Sequence, residues 1–253
     1  MTVKDIYDKV NAIAPFCCQE SYDNSGLIVG EMDKKVSKIL LALDITKETA
    51  QEAADKQYNL VISHHPVIFN GLKALSPQNP AVILARNNIS AIAMHTNFDF
   101  AKGGMNDILC QKLGLIPNEP ITIENGLNIG YVCIIEEISP KAMAEKIKNT
   151  LGNKVVRYND CGKMLRKIGV CSGSGGSLLK DCIANNLDAL ITGDVKHDIF
   201  IDAHNQGLCV FDAGHFYTEN IFYDYITAQL KELSEDIEIS VADSNTDVLS
   251  YEI

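Results

Sequence analysis

Two adjacent histidines, His64 and His65, end an apolar run in the segment LVISHHPVIF and are followed at once by Pro66. Successive side chains of a strand point to opposite sides, but where the strand ends at Pro66 both imidazoles can lean into one cleft. Two metal ions in a site typically about 3.5–4 Å across could each take one of them. Imidazole and carboxylate ligands suit Zn, Mn, Fe or Ni without distinguishing among these metals. The segment therefore predicts a two-metal site.

Two further segments carry the same kinds of side chain. HTNFDFAKGGMND supplies His95 and Asp99, and GHFYTEN supplies His215 and Glu219. If a helix begins at the second segment, His215 and Glu219 share one of its faces, because they are four positions apart. Most of the histidines lie at the carboxyl ends of predicted strands, where ligand sites form in open parallel sheets. The predicted metal ligands are His64, His65, Asp99, His215 and Glu219.

Several polar residues near these segments have two interpretations. His197 and Asp194, in ITGDVKHD, either line the cleft or hold the fold, and His204 is interpreted as an ordinary core or surface histidine. Asn106 and Asp107 follow a glycine pair and fit the first turn of a helix, where such side chains stabilise the helix N-terminus. These residues are therefore not assigned to the metal site.

The composition is that of an ordinary globular protein. The chain has 253 residues, 46% of them hydrophobic and 22% charged, with a net charge of −11. This acidity, without a block of Lys and Arg, argues against a general nucleic-acid partner. The N-terminus lacks the apolar core of a signal peptide, and no apolar run is long enough for a membrane span. We expect a cytoplasmic protein with no membrane partner.

The eight cysteines form no CxxC pair. Most lie in apolar stretches, as buried free thiols do, so we interpret them as structural residues of a reducing compartment. A thiol-redox role for the adjacent Cys17 and Cys18 stays open as the alternative.

Strand and helix patterns alternate along the first third of the chain. Helical spacing over residues 2–14 is followed by a strand in SKILLALDIT, a helix in KETAQEAADKQ and a strand in YNLVISHHP. PAVILARNN and ISAIAMHTN then predict another helix and strand. This alternation indicates an α/β fold with a mostly parallel sheet.

The same order returns in the second half. The segment from Arg166, RKIGVCSGSGGSLLKDCIANNLDALITGDVKHD, aligns without a gap on the segment from Lys38 when shifted by 129 positions, so that Ile39 falls on Ile168. Such self-similarity predicts an internal duplication, although any two β-α-β units look partly alike. We expect two related α/β lobes: a three-layer metal-binding lobe (1–124 and 188–253) and a smaller inserted lobe (125–187).

The quoted motifs also resemble a known family. SHHPVIF, AMHTNFDFAKGGMND, LITGDVKHD, AGHFYTEN and ESYDNSGLIVG are similar to the GTP cyclohydrolase 1 type 2 homologue family, also called the NIF-three-like family. The similarity runs from about residue 18 to about residue 225. One departure is visible, because the family usually has Trp where this chain has Tyr22.

The resemblance implies a two-lobed subunit with a dinuclear metal centre at the lobe interface, and a ring-shaped homohexamer built as a trimer of dimers. It places two divalent metal ions per chain on His64, His65, Asp99, His215 and Glu219, with the glutamate bridging. It does not imply a settled activity, because the substrate of most members is not established and fold alone does not give function.

Two functions of different classes follow. The first is a metal-dependent hydrolase acting on a nucleotide-like small molecule, with His95 and Glu219 as catalytic residues and His95 as general acid or base. In that hypothesis Lys102, Lys196 and the amides of the Gly103–Gly104 pair could meet a phosphate, although the chain has no P-loop or GxGxxG motif. The second is a non-catalytic metal-binding ring that acts as a scaffold or metal carrier.

Overall fold

The computed structural model describes residues 1–252 of the chain. Its strands, in chain order, are β1 (Gly26–Val29), β2 (Lys38–Ala42), β3 (Leu60–Ser63), β4 (Ser90–Ala93), β5 (Pro117–Glu124), β6 (Leu127–Ile138), β7 (Arg157–Tyr158), β8 (Leu165–Val170), β9 (Ala189–Thr192), β10 (Cys209–Asp212) and β11 (Glu238–Val241). Its α-helices are α1 (Val3–Ile13), α2 (Lys47–Asp55), α3 (Pro80–Arg86), α4 (Thr96–Phe100), α5 (Met105–Lys112), α6 (Pro140–Leu151), α7 (Leu179–Ala184), α8 (His197–Asn205), α9 (His215–Glu219) and α10 (Tyr223–Lys231). The predicted α/β fold class is confirmed.

The first compact unit consists of Met1–Ala101 and Phe222–Val248 and contains a five-stranded sheet. The strand order is β1-β4-β3-β2-β11, and every neighbouring pair is parallel except β1 with β4. Strands β3 and β4 are buried along their whole length, as expected for central strands covered on both faces. The carboxyl ends of these parallel strands meet at one edge of the sheet, so the residues that follow them come close together.

Helix α1 shows why the sequence folds locally as its spacing predicts. Thr2 and Asp5 form a capping box at its N-terminus, which satisfies two backbone donors reciprocally. Val3, Ile6 and Val10 recur at helical spacing and are all buried.

The second compact unit consists of Lys102–Ile221, joined by residues 249–252, and contains a six-stranded sheet. The strand order is β5-β6-β8-β9-β10-β7. Strands β8, β9 and β10 are parallel, and the three others are antiparallel to their neighbours. Buried side chains of α5, α6 and the strands form the core of this unit, with Phe211 its largest fully buried member.

The internal duplication is visible in the hydrogen-bond register of each unit. Ile39 pairs with Leu60 between β2 and β3, and Ile168 pairs with Ala189 between β8 and β9, so both partners shift by the same 129 positions. The residue before the second strand also repeats its role. Asn59 Oδ1 accepts hydrogen bonds from the amides of residues 37 and 38, and Asp188 Oδ2 accepts from those of residues 166 and 167.

The observed units have different boundaries from the predicted lobes. The prediction returned residues 188–253 to the first lobe and began the inserted lobe at residue 125. Strands β9 and β10 instead extend the ladder of β8, and α5 and β5 also belong to the second unit. Only Phe222–Val248 returns to the first sheet, where β11 pairs with β2. The second repeat must keep its own sheet because its strands hydrogen-bond to one another.

No helix within residues 1–252 combines the length and the apolar character that crossing a bilayer requires.

Candidate metal centre

His64 and His65 continue the parallel ladder past the end of β3. The His64 amide donates to the Ala42 carbonyl, and the His65 amide donates to the Leu43 carbonyl, so the backbone of both histidines is fixed by the neighbouring strand. His64 is fully buried and His65 is partly exposed. Their imidazole centroids are 5.0 Å apart and tilted by 47°. The adjacent side chains therefore reach the same edge of the sheet from different directions.

His95 joins this pair from the end of β4. The ligand atoms of His64, His65 and His95 all lie within 4.8 Å of one another. We predicted His95 as a general acid or base and did not place it among the ligands, but its position also allows it to hold a metal ion. Three imidazoles at this spacing form a donor set that suits a transition metal.

Asp23 holds His95 in place. Its Oδ1 lies 2.7 Å from His95 Nδ1, and its Oδ2 accepts hydrogen bonds from the amide and the hydroxyl of Thr96. Burial alone would raise the pKa of Asp23, but the hydrogen bonds from His95 and Thr96 more than offset it and hold the pKa below its ordinary 3.8. Asp23 is therefore a buried, ionised carboxylate.

Asp99 lies one turn along α4 from His95. Its Oδ1 is 3.6 Å from His64 Nε2, which is longer than a good hydrogen bond but short enough for both atoms to ligate one ion. The first unit therefore brings together three of the predicted ligands, His64, His65 and Asp99, with His95 beside them.

The second unit brings together the other two predicted ligands. His215 and Glu219 open and close the short helix α9, and His215 Nε2 lies 2.9 Å from Glu219 Oε2. Gly214 has φ +74°, a left-handed conformation that lets the chain turn from β10 into this helix. The four-residue spacing thus gives the shared face that the sequence predicted.

Gly173 lies directly against the Glu219 carboxylate. A Cβ at this glycine would lie 2.2 Å from Glu219 Oε1, so only glycine leaves room for the carboxylate. The Thr218 hydroxyl accepts a hydrogen bond from the Gly173 amide and donates one to the His215 carbonyl. The Gly173 backbone and the Thr218 side chain therefore fix the position of α9.

Asp212, at the end of β10, connects the loop that follows β9 to the loop that leads into α9. Its carboxylate accepts hydrogen bonds from the Val195 and Gly214 amides and forms an ion pair with Arg157. Arg157 also donates to the Val195 carbonyl. This Asp212–Arg157 brace holds the loops that carry Asp194 and His215, and sequence reasoning missed it because Arg157 lies 55 positions from Asp212 in the chain.

All four of these histidines share one feature, which is an oxygen acceptor at Nδ1. The acceptors are the Met94 carbonyl for His64 at 2.6 Å, Asp44 for His65 at 2.8 Å, Asp23 for His95 at 2.7 Å and Asp194 for His215 at 2.8 Å. An oxygen acceptor at Nδ1 places the proton there and leaves the Nε2 lone pair for a metal ion. The donor set therefore fits divalent metals.

Among the residues with two interpretations, Asp194 contacts a predicted ligand, His215. It adopts φ +51° and holds His215 Nδ1, whereas His197 and His204 are exposed on α8. Asn106 accepts from the Ser172 amide, and Asp107 accepts from the Gly103 amide and the Tyr131 hydroxyl. The last two residues thus tie loops of the second unit.

Two of the remaining expectations concern thiols and phosphate. All eight cysteines are free thiols, and burial with a hydrogen bond from Cys17 raises the pKa of Cys18. A reactive thiolate needs a lowered pKa, so Cys18 lacks the mark of a redox thiol. Lys102 and Lys196 are exposed, and the Gly103 amide is used by Asp107.

Known proteins match this chain over nearly its whole length. The model of the family described as Duf34/NIF3 (NGG1p interacting factor 3) matches residues 1–248. A GTP cyclohydrolase 1 type 2 homolog of Clostridium perfringens is 32% identical over 262 residues, with 99% of this chain and 100% of the relative covered. A GTP cyclohydrolase 1 type 2 of Helicobacter pylori is 36% identical, with 87% of this chain and 88% of the relative covered.

Solved structures share the fold. Staphylococcus aureus protein SA1388 is similar at a TM-score of 0.92 and 24% identity, covering 100% of this chain and 99% of that chain. Reduced HcgD from Methanocaldococcus jannaschii is similar at a TM-score of 0.83 and 27% identity, covering 96% of this chain and 98% of that one. The chain belongs to the Duf34/NIF3 family.

Proposed function

We propose that this protein binds two divalent metal ions per chain and hydrolyses a nucleotide-like small molecule. The proposed ligands are the five predicted from the sequence: His64, His65, Asp99, His215 and Glu219. The first unit supplies three of them and the second unit two. The assignment of all five to one dinuclear centre rests on the donor chemistry of each group and on the family resemblance.

The observation that carries the proposal is the repeated restraint of Nδ1. Each imidazole has an oxygen acceptor at that atom, and three of the acceptors are the carboxylates of Asp44, Asp23 and Asp194. Solvent can satisfy Nδ1 of a partly exposed histidine such as His65 or His215, whereas metal-ligating histidines almost always donate that hydrogen bond to a protein acceptor. The arrangement is therefore better explained by metal binding than by packing.

Bound divalent metals would supply Lewis acidity and lower the pKa of water, which is the usual way to generate a nucleophile at neutral pH. The protein's own groups supply the proton path. His95 is held by Asp23 at Nδ1, so its Nε2 can take a proton from water and return it to the leaving nitrogen or oxygen. Glu219 would hold the metals, and its carboxylate is nearly buried, which limits competition from solvent.

The substrate class is taken from the names of the relatives. Both quoted bacterial relatives carry the name GTP cyclohydrolase 1 type 2, one of them as a homolog. Opening the guanine imidazole ring of GTP adds water at C8 and breaks a C–N bond, with a proton passed to the departing nitrogen. This balance needs only water, a proton carrier and Lewis acidity, all of which the proposal includes.

The proposed assembly is a homohexameric ring, a trimer of dimers, as the resemblance implies. A ring that binds metal without catalysis, as a scaffold or carrier, is the alternative. The two differ in turnover and in metal exchange, because a carrier releases metal readily and consumes no substrate. Light scattering of the purified protein measures the assembly in either case.

The deciding experiment compares Glu219→Gln with the parent protein and with Glu136→Gln, an exposed glutamate of the same unit. Metal content is measured by mass spectrometry, and turnover is measured with GTP and a panel of phosphoesters. We expect Glu219→Gln to lose turnover and at least one metal ion, while Glu136→Gln retains both. Full activity of Glu219→Gln would rule out the proposed site, and two bound metals without turnover in the parent would favour the carrier.

A further inference from the structure

Only two aromatic side chains on the chain surface are strongly exposed, and they lie next to each other. Of the nine tyrosines and eight phenylalanines, all within residues 1–252, only Tyr22 and Phe69 are exposed, at 65% and 42%. Their ring centroids are 6.4 Å apart, although 47 positions separate them in the chain. The other fifteen aromatic residues are buried or half-buried, so this pair stands out from the surface of an acidic globular protein.

The pair borders the histidine group of the first unit. Phe69 lies edge-on to His95, with ring centroids 5.9 Å apart and an interplanar angle of 81°. The Tyr22 and Phe69 rings are tilted by 57° to each other. The Phe69 ring therefore adjoins His95, and the Tyr22 ring adjoins Phe69.

The segment Tyr22–Ser25 fixes this geometry. Asp23 holds His95 at Nδ1, and Ser25 Oγ accepts a hydrogen bond from the His95 amide. Asn24 Nδ2 donates to the Ile68 carbonyl at 2.6 Å, which ties the Phe69 loop to the same segment. The two aromatic rings and His95 are thus held by neighbouring residues of one segment. A chain that needed these side chains only for packing would bury them.

We propose that Tyr22 and Phe69 form a stacking face for a planar heteroaromatic ring of the substrate, beside the metal-binding histidines. This deepens the proposed function and rests on it, because it names the part of a nucleotide-like substrate that the protein recognises. Aromatic faces bind nucleobases by stacking with little dependence on base identity. The metals and His95 then face the reacting atoms, while the rings hold the heterocycle in place.

The chain offers a clean reporter for this contact because it contains no tryptophan. Tyr22→Trp introduces a single indole at the proposed face, and a stacked guanine quenches its fluorescence. The probes are GTP, guanosine, adenosine, uridine and tripolyphosphate, the last of which has no ring. We expect the nucleosides and GTP to quench Trp emission at millimolar concentration or below, and tripolyphosphate to leave it unchanged.

Equilibrium dialysis of GTP with variants separates stacking from general apolar contact. Tyr22→Ala and Phe69→Leu are expected to weaken GTP binding about tenfold each, because one stacked ring is lost. Tyr22→Phe keeps the ring and is expected to bind within twofold of the parent. Leu75→Ala, an exposed apolar residue of the same loop, is the control and should also stay within twofold.

Metal content and oligomeric mass are measured on every variant. The proposal is overturned if no nucleoside quenches Trp emission, if Tyr22→Ala and Phe69→Leu bind GTP as tightly as the parent, or if these variants change the oligomeric mass. The last result would make the pair a contact between copies of the chain. If the parent binds no metal but the ring-dependent binding is found, the stacking face stands and the metal-dependent hydrolase does not.

Discussion

At the scale of single residues, we expect the groups that orient the histidines to contribute to metal affinity nearly as much as the histidines themselves. Asp44, Asp23 and Asp194 each occupy Nδ1 of one histidine, and a change there leaves the histidine in place but frees its ring. The loss of such outer partners typically lowers metal affinity 10- to 100-fold.

Asp44 gives the first prediction at this scale. Asp44 follows β2, and its side chain is about half exposed to solvent. Its removal should therefore leave the sheet intact. We expect Asp44→Ala to lower metal affinity by about tenfold or more, and Asp44→Asn, which keeps an oxygen acceptor, to lower it less. Competition with a chelator, followed by mass spectrometry of bound metal, measures the change. Asp33→Ala, at an exposed position, is the control. Equal affinity in Asp44→Ala and the control would show that Asp44 does not orient His65.

Gly173 gives the second prediction. Gly173→Ala introduces a Cβ that would meet Glu219 Oε1 at 2.2 Å, and Gly162→Ala introduces one with no atom within 4 Å. Both glycines have positive φ, so each alanine carries a similar backbone cost of roughly 1–2 kcal/mol. We expect Gly162→Ala to lower the unfolding free energy by about that amount, and Gly173→Ala to lower it by at least as much and to lose metal as well. Chemical denaturation and metal analysis of the two variants test this, and equal metal content in both would contradict the role assigned to Gly173.

At the scale of elements, helix α2 anchors the segment after β11. Glu52 of α2 accepts hydrogen bonds from the Ser244 and Asp243 amides and pairs with Lys56. Burial alone would raise the pKa of Glu52, but the hydrogen bonds from Lys56 and from these amides lower it from 4.5 to about 2. The final segment of the first unit is thus held by an ionised glutamate.

Acid should loosen this anchor in a defined pH range. Because its pKa is lower in the folded chain than in the unfolded chain, Glu52 stabilises the fold above about pH 4.5, and this contribution is lost as pH falls towards about 2. Its size is at most about 3 kcal/mol. We expect Glu52→Gln to lower the unfolding free energy at pH 7 by about 1–3 kcal/mol, with a smaller difference from the parent at pH 3. Glu31→Gln, at an exposed position, is the charge control. A deficit of the same size at both pH values would argue against the assigned pKa.

The sequence predicted elements with a buried repeat pattern and missed three of the strands at the sheet edges. Strands β2, β3 and β4 and helices α2 and α3 follow from apolar runs and strong helix formers. Strands β1, β5 and β11 lie at sheet edges and are only partly buried, so their apolar pattern is weak. Strand β5 also contains two prolines, which an edge strand tolerates and a central strand does not.

The same limit applies to the candidate site. His64, His65, His95, His215 and Glu219 could be found because each belongs to a polar cluster at a strand end. Asp44 also follows a strand, so the rule used for the histidines could have found it. Asp23 and the Asp212–Arg157 brace could not be found from spacing, because their partners are distant in sequence and are set by the fold.

At the scale of the whole molecule, the duplication explains why the predicted ligands fall into two groups. Each repeat is a β-α-β-α-β unit with the same register, and each places polar residues at the carboxyl ends of its parallel strands. The first repeat carries His64 and His65 at the end of its second strand, and the second repeat has Gly193 and Asp194 there. The glycine makes room for the backbone of His215, which a Cβ would meet at 2.6 Å. Duplication followed by divergence thus gives two ligand sets of different composition.

The central claim is that the restrained histidines hold metal, and metal content per chain tests it most directly. The purified protein is analysed by mass spectrometry as isolated and after incubation with excess Zn, Mn, Fe or Ni and removal of free metal. We expect about two metal ions per chain, and a lower content in His64→Ala and His215→Ala. A parent protein that retains no metal after reconstitution would contradict the account. The Nδ1 hydrogen bonds of His64, His65, His95 and His215 would then not serve metal binding.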